Sequence, residues 1–331
     1  MKLITVKDFY PLSVVTLIQL ATWVSSPKLR LLLVKAVACV AHRLSTTKRR
    51  LSETNVRQVL GGNLSKERIR TIVKSSFYEF WLETFFMPPS SVPVVPLTQL
   101  DIRGLDHLQR AIDNGKGAIL WESSHFGRRF LAKRILCQKG FAVHQVHGEY
   151  HMGGFPNDGS FVSWTREHFI RRFFENCESS FVREIIYITS PQSLAFSKIL
   201  LKRLKQNGII CISADVGRGH KFIPVRFLGR TEFFPTGMVS LAKLSGATIL
   251  PLFCIQENGT TPSLIIEPPV CLETDEDREG NLKKTVIQYA SLLESYIMKY
   301  PEQYRNWHSL RAPLRPIPEA RAGYARPPSS P

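Results

Sequence analysis

A chain of 331 residues with 44% apolar and 21% charged side chains is neither a short peptide nor a disordered protein; one large domain with an appendage fits it better than two equal halves. Forty-four Lys and Arg against 27 Asp and Glu leave a net charge of +17, which points to a polyanionic partner: nucleic acid or anionic lipid. Six scattered cysteines (Cys39, Cys137, Cys177, Cys211, Cys254 and Cys271) include no Cys-x-x-Cys pair, which argues against a disulfide framework and against zinc.

Residues 9–27 carry no charge and include Leu12, Val14, Val15, Leu17, Ile18, Leu20, Trp23 and Val24. Pro11, Ser13, Thr16, Gln19 and Thr22 dilute the run, so it is borderline for a membrane span. Ser25-Ser26-Pro27-Lys28 makes a poor signal cleavage site. A second apolar stretch over 29–44 carries Arg30, Lys35 and Arg43. Together the two predict helices lying in, or dipping into, a membrane interface; the alternative is an ordinary pair of core helices.

Residues 45–87 are helical in pattern, broken at Gly61-Gly62 and restarted with Ser65 as the cap. Ile69, Ile72, Val73, Phe77 and Phe80 then recur at helical spacing. Prolines at 88, 89, 93 and 96 stop the helix. Residues 1–90 thus read as a helical, membrane-associating region and 91–310 as the main domain. From Leu100 onward, helical patterns over 105–114, 126–138, 161–176, 191–206, 236–245 and 281–299 alternate with apolar runs. Those runs (117–124, 141–147, 185–188, 208–214, 222–227, 248–255 and 263–267) read as strands. The alternation predicts an α/β fold, a mixed but mostly parallel sheet flanked by helices. The tail over 311–331, with six prolines and little apolar content, predicts disorder.

The organising stretch is Gly117-Ala-Ile-Leu-Trp-Glu-Ser-Ser-His125-Phe-Gly127. A buried strand ends in small polar residues, and a histidine stands at the following turn, where open α/β sheets hold their ligands. Histidine there can act as a general base near neutral pH or simply cap the loop. His144, His147, His151 and Glu149 look like a metal set, but on a strand His144 and His147 point to opposite faces, so no metal is expected. Ser123 and Ser124 lack the Gly-x-Ser-x-Gly setting of a nucleophile. Ala214-Asp215-Val-Gly217-Arg218-Gly219-His220 also follows a buried strand. Asp215 and Arg218 share the sheet edge of His125 if the two strands are parallel neighbours. A second glycine-containing loop with Arg230 precedes Phe234-Pro-Thr236-Gly237, a helix start whose free N–H groups can hold an anion.

In order and spacing these residues resemble the lauroyl/myristoyl branch of the bacterial lysophospholipid acyltransferase superfamily, the enzymes that finish lipid A. Ser124-His125-Phe126-Gly127 is similar to its first signature, and Asp215 through Gly237 to its second. Leu241-Ala242, Ser245-Gly-Ala247, Pro251, Ile266-Glu-Pro-Pro269 and Tyr300-Pro-Glu-Gln303-Tyr-Arg-Asn-Trp307-His308 continue it. The resemblance implies acyl transfer from an acyl carrier protein or coenzyme A thioester, as co-substrate and without cofactor, to a hydroxyl of a glycolipid or lysolipid. It implies work at the cytoplasmic face of the inner membrane, with His125 as the base. Arg128, Arg129, Arg218, Arg230, Thr236 and Gly237 are then substrate-binding candidates.

The family places a carboxylate five residues after the histidine, and this chain has Phe130. Spoiling the orienting aspartate of a protease triad costs ~10⁴ in rate. Another carboxylate substitutes (Asp215 is the candidate, Glu122 facing the wrong way), or the chemistry is slower or different, or the protein is an impaired homologue that binds lipid or a partner enzyme. Nucleic-acid binding is disfavoured, since no helix-turn-helix, RNA-binding or zinc signature occurs.

Overall fold

The computed structural model describes residues 8–23, 26–85, 87, 100–148, 163–188, 194–215, 221–257, 261–272 and 278–310. Seven strands form the central sheet: β1 (Asp101–Arg103), β2 (Ala118–Glu122), β3 (Val143–Gly148), β4 (Glu184–Ile188), β5 (Ile209–Ser213), β8 (Thr248–Ile255) and β9 (Ser263–Ile266). Their order is β1-β9-β8-β2-β5-β3-β4. Every neighbouring pair is parallel except β8 and β9. Parallel strands need both faces covered, and β2 and β5 are buried at every position.

One face of the sheet carries Ile119, Trp121, Ile210 and Ile212 against Tyr289, Leu293 and Ile297 of α10 (Arg278–Lys299). On the other, Leu120 and Cys211 pack with Ile135 and Leu136 of α6 (Arg129–Gln138) and Phe174 of α7 (Arg171–Ser179). The N-terminal helices belong to the same two clusters. Val14, Val15 and Ile18 of α1 (Phe9–Trp23) and Val34 and Ala38 of α2 (Pro27–Leu44) join the α6 side. Val56 of α3 (Thr46–Leu60) and Ile69, Ile72 and Val73 of α4 (Lys66–Phe85) join the α10 side. α1 and α2 also present Phe9, Tyr10, Leu20, Trp23, Leu29, Leu32, Val40 and Leu44 to solvent. Among the described residues no helix is long and apolar enough to cross a membrane.

Local chemistry sets the element ends. The Arg68 amide donates to Ser65 Oγ at 3.1 Å, as the expected cap of α4 requires. Further on lie α5 (Leu105–Asp113), α8 (Leu194–Lys205) and α9 (Gly237–Ser245), the last closed by left-handed Gly246. The expected helix over 161–176 contains a π-helical turn, Arg166–Ile170, before α7.

Two expectations need correction. Arg230 does not belong to the loop but opens β7 (Arg230–Pro235), paired antiparallel with β6 (Phe222–Phe227). The connection is two residues, Leu228 and Gly229, both at positive φ, the geometry of a type I′ hairpin. Leucine is no turn residue, so the pattern hid the hairpin. The helix expected from 126 starts only at Arg129, because Gly127 lies at φ +68° and the Arg128 amide donates to Cys254 O at 2.7 Å. The proline break at 88–96, the histidine–glutamate pair at 149 and 151, Pro191, the 217–220 turn and the 311–331 tail fall outside the described residues.

Candidate functional site

The β2-to-α6 turn is a built structure. Register pairs Glu122 of β2 with Ser213 of β5, so the two strands deliver Ser123 and Asp215 to one sheet edge. Ser123 Oγ–H donates to Asp215 Oδ2, and the Ser124 amide donates to Asp215 Oδ1 at 2.7 Å. Ser123 Oγ in turn accepts the amides of His125 at 3.1 Å and Phe126 at 3.0 Å. One hydroxyl thus satisfies two N–H groups that would otherwise be orphaned ahead of a helix. Ser123 is a scaffold for the turn.

Gly127 completes it. A Cβ there would lie 2.6 Å from the Cys254 carbonyl, and φ is +68°, so only glycine fits between this turn and β8. Phe126 is buried beside Phe253, with ring centroids 6.1 Å apart, and anchors the loop beneath.

His125 itself is half-buried at this edge. Burial pushes its imidazole below the ordinary histidine value; Asp215 pulls it up, and Arg305 and Arg129 push it further down. Asp215 therefore reaches His125 through its charge, while its oxygens bond Ser123 and Ser124. A neutral imidazole near pH 7 is the competent form of a general base.

Phe130 sits in the first turn of α6, 4% exposed, edge-to-face with Phe181 at 6.4 Å. The Arg129 guanidinium lies 4.7 Å and Lys133 Nζ 4.9 Å from its ring centroid. Its backbone amide donates to Glu83 Oε1 at 2.8 Å. Two α4 carboxylates, Glu79 and Glu83, are thus brought to the α6 N-terminus, where negative charge is favoured. Sequence reasoning missed both. Their spacing of one helical turn on a buried, aromatic face was the available signal.

The candidate cations separate. Arg128 is held by Glu79 in two bonds of 3.2 and 3.1 Å and by Gln256 at 2.6 Å. Arg129 is buried, 4.0 Å from Glu122. Arg230, also buried, donates to Asn55 and Gln58 of α3 at 2.8 and 2.6 Å. Thr236 is the buried N-cap of α9 and Gly237 its exposed first residue. Arg218 falls outside the described residues.

Glu122 points away from His125, into a buried ionic cluster. Lys133 Nζ, fully buried, donates to Gln145 at 2.7 Å, to Glu178 at 3.2 Å and to Glu122 at 3.5 Å. His147 Nε2 meets Glu178 at 2.5 Å. Burial pushes the Glu178 carboxyl up, but His147 and Lys133 outweigh it and hold the carboxyl well below its usual range. His144 instead pairs with Glu184 at 2.9 Å, on the opposite face of β3. Among the described residues no group of three or more His, Cys, Asp or Glu side chains could hold a metal ion.

The bacterial lipid A biosynthesis acyltransferase family model matches residues 9–310 of the chain. A phosphatidylinositol mannoside acyltransferase from Mycolicibacterium smegmatis is 27% identical over 241 residues, 72% of this chain and 69% of that protein. Its counterpart from Mycobacterium tuberculosis strain CDC 1551 is 26% identical over 181 residues, 54% of this chain and 52% of that protein.

Proposed function

Because the chain belongs to the bacterial lipid A biosynthesis acyltransferase family and is an enzyme that transfers acyl groups, we propose that it moves a fatty acyl group from a carrier thioester to a hydroxyl of a phosphate-bearing glycolipid. His125 is the general base. The observation that carries this reading is the turn itself, which fixes a histidine of lowered basicity at the carboxyl end of β2.

His125 takes the acceptor hydroxyl proton as its oxygen attacks the thioester carbonyl carbon. The tetrahedral adduct collapses, the carbon–sulfur bond breaks, and the imidazolium returns the proton to the departing thiolate. The products are an ester and a free thiol, and no other reactant is needed. Asp215 takes over part of the work of the carboxylate missing at Phe130: its charge stabilises the imidazolium, and its bonds to Ser123 and Ser124 hold the turn. The donor is an acyl carrier protein or coenzyme A thioester. The net charge of +17 suits an acidic carrier and an anionic lipid surface.

The curated relatives act, by name, on phosphatidylinositol mannosides. That name and the lipid A of the family share one chemistry, a sugar hydroxyl on an anionic lipid, and we take it as the acceptor class. The exposed apolar side chains of α1 and α2, beside Lys28, Arg30, Lys35 and Arg43, support a reading in which these helices rest on the cytoplasmic face of the inner membrane. The test is label transfer from palmitoyl-coenzyme A and from palmitoylated carrier protein into a bacterial lipid extract. Wild type should acylate a glycolipid, and His125→Ala should lose roughly 10²–10⁴-fold in rate. Equal rates in the two proteins reject His125 as base.

A further inference from the structure

Residues 301–310 fold back over the His125 turn. Gln303 brackets the end of β8: Gln256 N–H donates to Gln303 Oε1 at 2.9 Å and Gln303 Nε2 donates to Gln256 O at 2.8 Å. Tyr304 forms a β-bridge with Phe126, and fully buried Trp307 is tied to α3 by Asn55 Nδ2, which donates to its carbonyl at 2.7 Å. Arg305 stands between these two anchors. Its amide donates to His125 O at 2.7 Å, Nη2 donates to Ser124 O at 2.9 Å, and Nη1 donates to Gly127 O. Three carbonyls within four residues, on both sides of the histidine, thus accept from one side chain and its own backbone.

We propose that Arg305 is a positioning residue for the acyl-transfer step: its guanidinium fork closes the turn that Ser123 and Asp215 hold from below and so fixes His125 for attack. This rests on the base reading of His125. A planar, fixed fork can serve two carbonyls at once, which a lysine ammonium on a flexible stem cannot do in the same geometry. A cation beside the imidazole also disfavours a second positive charge there and favours return of the proton to the leaving sulfur.

The charged groups around the pair come from several elements. Asp215, after β5, opposes Arg305 at His125, and Arg129 of α6 reinforces it. Burial pushes the Arg305 guanidinium below its usual value and Arg129 adds to that, while Glu83 and Glu79 of α4 and Asp215 oppose it. On the same segment His308 is pushed down to about 4 by burial, by Lys48 of α3 and by His125.

The experiment uses the full chain, palmitoyl-coenzyme A and a bacterial lipid extract, with Arg305→Lys, Arg305→Gln and His125→Ala alongside wild type, each checked by thermal melting. Arg305→Lys keeps the charge and loses the fork: kcat should fall about 10–100-fold with KM unchanged and the acid limb of the pH profile in place. Arg305→Gln loses the charge, and its acid limb should move up toward the ordinary histidine value of about 6.5. Wild-type kcat and acid limb in both variants, or a rise in KM alone, overturns the proposal. Should Arg305→Gln fail to fold, Arg305→Lys decides on kcat. Should neither fold, the His125 titration is read by NMR in wild type, assigned with His125→Gln; a value at or above about 6.5 overturns it. Inactive His125→Ala beside unaltered Arg305 variants sinks this inference alone, whereas active His125→Ala sinks the base reading and takes this inference with it.

Discussion

The two sides of β2 end in opposite uses of charge. Toward α6, Glu122 enters a buried cluster with Lys133, Gln145, Glu178 and His147, where charges pair and water is excluded. Toward α10, Ser123 and Asp215 bond each other and backbone N–H groups and leave a histidine at the sheet edge. The first arrangement is closed, and its worth is structural. The second keeps a base reachable, and its worth is chemical. Consecutive residues at the end of β2 can serve both because successive side chains of extended chain face opposite ways.

Substitutions on the two sides should therefore separate stability from turnover. The largest effect belongs to the open side: His125→Ala should remove roughly 10²–10⁴ of the rate while the melting temperature stays near wild type. On the closed side, Lys133→Met strands Glu122 and Glu178, whose partner it is. Breaking a buried pair costs about 3–5 kcal/mol, so denaturant unfolding should shift accordingly while kcat per folded molecule holds. A kcat collapse in Lys133→Met at unchanged stability would erase the contrast.

Asp215→Asn tests the open side more finely. It removes the charge that raises His125 and weakens the bonds to Ser123 and Ser124, so kcat should drop by about 10²-fold, the scale of a small misplacement. The sign of the pH effect follows from the neutral imidazole being the active form. Wild-type kcat/KM should hold its plateau below pH 6.5 and fall only as pH drops through the lowered His125 value. Removing Asp215 should carry that acid limb lower still, and an upward shift in the pH–rate profile would reject its assigned role.

Stability against pH sharpens the closed side. The Glu178 carboxyl is held below its unfolded value of 4.5, so its contribution is complete above that value and is lost as pH falls further. Acid unfolding followed by circular dichroism should therefore ease below pH 4.5 in wild type. The smallest effect is expected at Phe130, packed on Phe181. Phe130→Leu should cost about 1 kcal/mol, as near-isosteric core swaps do, with kcat unchanged; a large kcat loss would make the ring part of the chemistry.

Much of this molecule is legible locally. The apolar run 117–124, the polar pair after it and His125 mark a strand end, and β8 has the bounds that its apolar pattern predicts. The opposite facing of Glu122 and His125, and of His144 and His147, follows from strand alternation alone. The family resemblance was legible for a different reason: many small motifs kept their order across the chain. What misled was local too. Phe126 and Arg128 are compatible with helix by type, but the left-handed Gly127 between them and the Cys254 carbonyl deny it.

The sequence by itself determined most of the elements, the faces they bury and that a histidine stands at the carboxyl end of β2, because periodicity and turn chemistry act over a few residues. The tertiary structure alone decided what that histidine meets. Asp215 reaches Ser123 across 92 residues of chain and Arg305 reaches Ser124 across 181. Glu83 arrives at Phe130 from a helix that precedes the sheet. Such contacts depend on strand order and on the return of the last segment over the sheet edge. No local pattern encodes them: a charged residue reads the same in sequence whether it faces water or a partner brought from the far end of the chain.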